Sequence, residues 1–257
     1  WLPPDLASLG GTAHQHLPGY CAMIKRLDEA FGRVLDALRS LDLLDDTIIL
    51  FTSDHGSHFK TRNSEYKRSC HESSVHIPAA ARGPGFDGGG EIRELVSLVD
   101  FAPSLLDAAG LEIPSEMVGK SVMPLTKGDS SDWPDSVFIQ ISEEQVGRAI
   151  RTSRWKYSVV AEGIDGRTEA GADTYTEEFL YDLKADPYEL ENLVGEEAYE
   201  ELRVCLRERL LRSIRGIENR EVTIKPAIER ESHYARQLTE KEMEEVSIEH
   251  ITVRGSG

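Results

Sequence analysis

The chain has 257 residues, of which 39% are hydrophobic and 29% charged, and its formal net charge is -17 at pH 7. This length can bury one large core, or a large and a small one. The negative charge argues against nucleic acid as a partner, because phosphate binding needs basic surface. The negative net charge does not exclude an anionic substrate, since a local cluster of basic side chains can bind it on an acidic protein. No stretch approaches the ~20 apolar residues of a membrane span.

The three cysteines, Cys21, Cys70 and Cys205, show no metal-type spacing and do not indicate a redox compartment. The first residue is Trp1, not a methionine. We therefore expect that an N-terminal portion is missing from the chain, together with any targeting signal it carried.

The first part of the chain predicts an α/β unit. Residues 1–18 are rich in Pro, Gly and His and are expected to be irregular, whereas apolar residues recur at helical spacing from 19 to 41. The run 47–52 is apolar and β-branched, which suits a strand buried on both faces, as in a parallel sheet. Further strands are expected at 76–81 and 95–99, before a helix that Asp100 can cap and that runs to Ala109.

The character of the chain changes after about residue 130. Short strand-like runs at close spacing predict an antiparallel sheet followed by a helix; the runs are 136–142, 147–152, 155–160 and 178–183, and the helix is 196–216. Thr239 is expected to cap a separate short helix in the Glu-rich remainder. We expect part of an α/β domain at 1–130, a small subdomain of antiparallel sheet plus helix at 131–217, and an acidic tail at 218–257.

The segment Ser53 to Gly56 follows the predicted strand at its C-terminal end, where open α/β sheets place their ligands. Asp54 and His55 offer a carboxylate and an imidazole, and Gly56 allows a sharp turn with room for a ligand. A divalent cation such as calcium takes roughly six to eight ligands, so two residues can form only part of a site. The alternative is a solvated turn in which Asp54 caps the next segment.

The loop that follows contains basic side chains on an otherwise acidic chain: His58, Lys60, Arg62, Lys67, Arg68 and His71. Lys67 is the best candidate for neutralising sulfate or phosphate oxygens and assisting a leaving group. A solvated basic loop is the alternative. We interpret Cys70 as a packing residue, and no Gly-x-Ser-x-Gly elbow supports a serine hydrolase.

Several motifs, taken in order, resemble the type I sulfatases of the alkaline phosphatase superfamily. They are YxxxIxxLDxxxG at 20–32, TIILFTSDHG at 47–56, KRSCHESSVHIP at 67–78, LVDFAPSLLD at 98–107 and LYDLKADPYELENL at 180–193. The resemblance implies a partial alkaline-phosphatase-like α/β/α sandwich with a smaller C-terminal antiparallel-sheet domain.

The resemblance also implies roles for single residues. Asp54 and His55 would bind a divalent metal, and Lys67 would contact the sulfate and its leaving oxygen as a catalytic residue. His71 is a weaker catalytic candidate, because its position is often aromatic in the family, and Arg62 is a candidate for substrate binding. The metal would be Ca²⁺. Mn²⁺ or another divalent metal is the alternative, since an imidazole ligand favours transition metals.

The family's nucleophile, a formylglycine made within Cys/Ser-x-Pro/Ala-x-Arg, has no counterpart around Cys21, Cys70 or Cys205. We expect it, with further metal ligands, in the missing N-terminal part, so that this chain alone would be inactive. The implied activity is hydrolysis of a sulfated sugar or polysaccharide, by a secreted or periplasmic enzyme. The alternatives are a phosphonate monoester or phosphodiester hydrolase of the same superfamily, and a relative that binds without catalysis.

Overall fold

The structure, a computed structural model, describes residues 2–227 and begins with two helices, α1 (Pro4–Ser8) and α2 (Ala13–Ser40). The prediction that 1–18 is irregular is wrong for most of that range. Pro4 suits the start of α1, because the first helical N–H has no partner to lose. Ahead of α2, the N–H of Thr12 donates to the carbonyl of Phe59 at 2.8 Å. A long-range contact that no local pattern encodes therefore anchors the start of α2.

The next elements are strand β1 (Ile49–Thr52), helix α3 (Glu72–Val75) and strand β2 (Ala79–Arg82). The two strands pair antiparallel, so the prediction of a parallel sheet is wrong here. The chain returns through a loop and one short helix, without the crossover that parallel strands require. The expected burial of the run 47–52 on both faces is also wrong within residues 2–227, because Phe51 on β1 is exposed and the rest of β1 is only half-buried.

The third predicted strand, at 95–99, is absent from the described residues. Residues Leu98–Asp100 form a 3-10 turn instead. The Asp100 carboxylate accepts the N–H of Ser97 at 2.7 Å and the N–H of Lys120 at 2.8 Å, which bends the backbone away from an extended path. The helix expected after Asp100 is confirmed as α4 (Phe101–Ala108), and a single helical turn, α5 (Met123–Thr126), follows.

The predicted antiparallel sheet is confirmed, with its strands in sequence order. Strands β3 (Ser136–Ile141), β4 (Val146–Thr152), β5 (Trp155–Ala161) and β6 (Thr174–Asp182) pair antiparallel with their neighbours. A further strand, β7 (Thr223–Lys225), pairs parallel with β6 and was not predicted. It lies in the segment expected to be an acidic tail, so the sheet extends beyond residue 217. The expected cap at Thr239 lies outside the described residues.

The main hydrophobic core lies between this sheet and the predicted helix, α6 (Glu200–Glu218). Leu206, Leu210 and Ile214 recur at helical spacing on α6 and are buried against strand residues such as Ile150 and Leu180. Each such side chain contributes roughly 1.5–3 kcal/mol when fully buried. The loop between β1 and α3 makes hydrogen bonds with this packed C-terminal part. No helix among residues 2–227 is long and apolar enough to cross a membrane.

Candidate active site

Asp54 and His55 form a compact turn directly after β1. The hydroxyl of Ser53 donates to the carbonyl of His55 at 2.8 Å, and the N–H of His55 donates to Asp54 Oδ1 at 2.9 Å. The imidazole Nδ1 lies 2.8 Å from the carbonyl oxygen of Gly56. Because a carbonyl only accepts, Nδ1 carries the proton and donates. The other ring nitrogen, Nε2, lies 3.3 Å from Asp54 Oδ2.

Lys67 reaches the same point from the following loop. Its Nζ lies 2.7 Å from His55 Nε2. An amine nitrogen of lysine donates, so Nε2 accepts in this contact. The structure thus brings together Asp54, His55 and Lys67, the residues for which sequence predicted the metal and sulfate roles.

The Asp54 side chain is 82% exposed, and its carboxyl is ionised at neutral pH. Partial desolvation acts to raise the pKa of Asp54, but the His55 ring, the His55 N–H and the Lys67 amine outweigh it, and the pKa lies below its usual value. An ionised carboxylate is the form that binds a cation.

Asp54 and His55 fit part of a divalent metal site. A histidine that donates from Nδ1 to a backbone carbonyl has its other nitrogen oriented as a ligand, which is the usual arrangement at metals. Among residues 2–227, no group of three or more His, Cys, Asp or Glu side chains could hold a metal ion. The pair offers one oxygen and one nitrogen donor. The nitrogen suits Mn²⁺ or a transition metal better than Ca²⁺.

Gly56 is needed for a close approach to α3. Its N–H donates to the carbonyl of Ser74 at 2.7 Å. A Cβ at position 56 would lie 2.2 Å from the carbonyl oxygen of Ser73, a distance that real side chains do not adopt. The turn that carries His55 is therefore packed directly on α3.

Arg62 points away from this turn. Its guanidinium donates to the carbonyls of Tyr188 and Glu189, at 2.7 and 2.8 Å, in the loop after β6. These contacts favour a structural role. Its predicted role in substrate binding stays a prediction.

His71 lies in the interior, with 2% of its surface exposed. Its Nε2 is 3.2 Å from the hydroxyl of Tyr181, and its ring contacts Phe179 at a centroid distance of 4.9 Å. Burial, followed by the nearby positive charges of Arg62 and Lys156, lowers its pKa well below the usual value. The ring is neutral and enclosed, so the catalytic role predicted for it has no support from its position.

The other basic residues of the loop have separate surroundings. Arg68 forms ion pairs with Glu65 and Glu143, Lys60 lies over the ring of Tyr66, and His58 is fully buried. The basic side chains of the loop therefore do not form one cluster. Lys67 is the member of this set that lies beside Asp54 and His55. Only 1% of the Cys70 surface is exposed, and the residue packs with Ile141 and Ala149. This agrees with its interpretation as a packing residue.

An open groove of about 1440 Å³ passes over the Asp54–His55–Lys67 cluster. Its walls include side chains from both parts of the chain, among them Arg68, Gln140, Ser142 and Glu143. The groove is large enough for a sugar-sized ligand.

Sequence reasoning missed an ion cluster behind this site, formed by Glu72, Arg151, Lys156 and Glu189. Lys156 lies on β5 between two aromatic residues of the sequence, and its side chain is fully buried. A lysine within an apolar strand is the local signal that could have indicated a buried acidic partner.

Residues 64–216 match the family described as N-sulphoglucosamine sulphohydrolase, C-terminal, and residues 5–111 match the family described as Sulfatase. The first match alone spans more than half of the chain. The chain belongs to the type I sulfatase family. The family predicted from the motifs is thereby confirmed.

Among curated proteins, this sulfatase chain is similar to arylsulfatase K of Rattus norvegicus, with 34% identity over 187 residues. Arylsulfatase K of Homo sapiens is 33% identical over 184 residues. The matches cover 69% and 68% of this chain but 31% and 32% of the relatives. The chain therefore spans about a third of the length of the curated relatives it matches.

Among solved structures, the sulfatase chain is similar to BT4656 in complex with its substrate D-glucosamine-2-N,6-O-disulfate. The TM-score is 0.65 at 28% identity, over 83% of this chain and 44% of that one. The phosphonate monoester hydrolase of Agrobacterium radiobacter gives a TM-score of 0.62 at 27% identity, over 76% and 40% of the two chains. The chain has a mixed α/β fold, which is part of the alkaline-phosphatase-like fold of these proteins.

Proposed function

We propose that this chain carries part of the metal and sulfate site of a sulfuric ester hydrolase that acts on sulfated carbohydrate or related sulfate esters. The observation that carries the proposal is the convergence of Lys67 Nζ on His55 Nε2, at 2.7 Å, beside the Asp54 carboxylate. The similarity to arylsulfatase K, and to a solved protein that holds a disulfated glucosamine, supports a sulfated sugar as substrate.

Each residue of the cluster has a distinct task in this proposal. Asp54 and His55 hold a divalent metal, Ca²⁺ or Mn²⁺, which when bound polarises the sulfuryl oxygens. The Lys67 amine donates to a sulfate oxygen and stabilises the negative charge that develops on the leaving alcohol. The carbonyl of Gly56 keeps the His55 ring turned so that Nε2 faces the site.

The nucleophile is proposed to come from another part of the parent protein. The family resemblance implies a formylglycine, and the surroundings of Cys21, Cys70 and Cys205 do not fit its motif. We therefore expect this chain to be inactive alone. The secreted or periplasmic location stays a prediction drawn from the resemblance.

The test uses the full-length parent protein, loaded with metal and assayed with aryl sulfate. Lys67→Ala should lower kcat by about a hundredfold or more, as expected for loss of a group that assists the leaving oxygen. Lys25→Ala is the control, because Lys25 is an exposed lysine on α2 with only a weak ion pair to Glu29. Equal turnover in the Lys67→Ala and Lys25→Ala proteins would remove Lys67 from the mechanism.

A phosphonate monoester or phosphodiester hydrolase is the second candidate, favoured by the similarity to the Agrobacterium radiobacter enzyme. Parallel assays with aryl sulfate and aryl phosphonate esters separate the two. A higher kcat/KM for the phosphonate would reject the sulfatase proposal. A non-catalytic relative would hydrolyse neither ester, and its upstream sequence would lack the formylglycine motif.

A further inference from the structure

A buried ion cluster joins the loop that carries Lys67 to the C-terminal sheet. Lys156, on β5, is fully buried, and its Nζ lies 2.6 Å from Glu72 Oε1 and 2.6 Å from Glu189 Oε1. The second carboxylate oxygen of Glu189 accepts the N–H of Glu72 at 2.7 Å. A buried charge without partners is strongly unfavourable, so these three residues hold one another in place.

A second attachment lies on the other side of Lys67. Arg62 donates to the carbonyls of Tyr188 and Glu189. The loop is therefore fixed on both sides of Lys67, at Arg62 and at Glu72, to the same short turn. Glu189 has a φ of 55°, which is uncommon for a residue other than glycine, so its contacts hold this turn in an unfavourable conformation.

The same attachment reaches His55 from behind. Glu72 is the first residue of α3, and Gly56 packs on α3 through its hydrogen bond to Ser74. Both partners of the Lys67–His55 contact are thus connected to the segment that Lys156 and Glu189 anchor. Lys67 is joined to Glu72 along the chain, whereas the His55 turn is joined to α3 through the Gly56–Ser74 hydrogen bond, so we expect a shift of Glu72 to change the distance between the lysine and the imidazole.

We propose that Lys156 and Glu189 are positioning residues, which set the distance between Lys67 Nζ and His55 Nε2 from within the C-terminal sheet. Their effect on catalysis rests on the proposed function, whereas their effect on the Lys67–His55 contact does not. The competing interpretation is that the cluster only stabilises the junction between the two parts of the chain.

Lys156→Met removes the charge and leaves most of the side-chain volume. Glu189 is then buried without its cation. Glu72 keeps Arg151, whose guanidinium lies 3.2–3.3 Å from its two oxygens, and His76, whose Nδ1 lies 3.3 Å from Oε2. We expect Glu72 to shift toward Arg151, and the loop to move with it. Lys156→Arg keeps the charge and should largely preserve the arrangement.

The matched control is Arg148→Met. Arg148 is a buried cation on the neighbouring strand β4, and its acidic partner is Glu218 on α6 instead of a residue of the loop. Its loss removes a comparable buried ion pair from the same sheet. The variants are compared at a temperature at which circular dichroism shows all of them folded.

The primary measurement is the ring ¹⁵N resonance of His55 Nε2 in the 257-residue chain, labelled in histidine. Lys67→Met defines the resonance position without the lysine contact. In Lys156→Met we expect the resonance to move toward that position, and in Lys156→Arg and Arg148→Met to stay near that of the unmodified chain. An unmoved resonance in Lys156→Met, or an equal shift in Arg148→Met, would overturn the positioning role. If Lys156→Met does not fold, Glu189→Gln undergoes the same test with the same expected shift.

The second measurement is made on the full-length parent. Lys156→Met should lower kcat/KM for aryl sulfate about tenfold to a hundredfold, the usual range for residues that orient a metal-site ligand, and Arg148→Met should not. A parent without sulfatase activity would reject the proposed function, while the His55 resonance would still decide the positioning role.

Discussion

The Nζ of Lys67 lies 2.7 Å from His55 Nε2, which is the nitrogen that would bind a metal ion. The amine and a metal therefore compete for one lone pair, and they also repel each other. If the proposed function is correct, the Lys67 amine would leave the imidazole when a metal is bound and would then be able to donate to a sulfate oxygen.

This competition predicts that Lys67→Met raises the affinity of the chain for Mn²⁺. We expect an increase of about fivefold to tenfold, since a unit charge ~4 Å away contributes about 1 kcal/mol in water. Titration of the chain with Mn²⁺, followed by the electron paramagnetic resonance of the free ion, measures it. Lys60→Met is the control, because Lys60 lies over the Tyr66 ring. Asp54→Asn should weaken binding, and an unchanged or lower affinity in Lys67→Met would contradict the competition.

The stability of the chain should fall as the pH is lowered, because His58 is buried as a neutral ring. Burial, assisted by the charge of Arg62, lowers the pKa of His58 from 6.5 to about 4. Within residues 2–227 neither ring nitrogen has a hydrogen-bond partner. At pH values between the two pKa values, the His58 ring binds a proton in the unfolded chain but not in the folded chain. The stabilisation is therefore complete above pH 6.5 and is lost as the pH falls toward 4, by up to about 3 kcal/mol.

Urea unfolding at a series of pH values checks this prediction. In His58→Phe the loss of stability between pH 6.5 and 4 should be smaller by about 1.4 kcal/mol per pH unit, the contribution of one proton. His16→Gln, which changes an exposed histidine, should keep the pH dependence of the unmodified chain. An identical slope in His58→Phe would show that His58 does not contribute.

Glycine substitutions at two positions should have opposite effects. Gly56→Ala places a Cβ against the carbonyl of Ser73 and should lower the free energy of unfolding by about 1–3 kcal/mol, and displace the His55 turn. Gly32→Ala, inside α2, meets no atom within 4 Å and should raise it by roughly 0.5–1 kcal/mol. Urea unfolding gives both values. Equal effects would mean that the contact between Gly56 and α3 is not tight.

The core under the sheet can be tested with two isoleucines of α6. Ile214 is fully buried, and Ile217 is 48% exposed. Ile214→Ala should lower the free energy of unfolding by about 2–5 kcal/mol, because it removes buried methyl groups and leaves a cavity. Ile217→Ala should change it by less than about 0.5 kcal/mol. Comparable losses in the two variants would place the core elsewhere.

Much of the secondary structure followed from local pattern. The sequence predicts strands β3 to β6 and helices α4 and α6 with shifts of up to four residues at their ends, because alternation, helical spacing and capping residues act within a few positions. The errors have non-local causes. The start of α2 depends on a hydrogen bond to Phe59, and the turn at Leu98–Asp100 depends on the contact of Asp100 with Lys120.

For the site, the sequence by itself determined the residues of the cluster, since Ser53 to Gly56 and Lys67 lie in short motifs with recognisable chemistry. Only the tertiary structure decided which charges face it. Arg62 and His71 make hydrogen bonds with residues of the C-terminal part. Lys156 lies behind the loop and pairs with two acidic residues. The physical reason is that local sequence sets backbone conformation, whereas the pairing of distant charges depends on how the two parts of the chain pack.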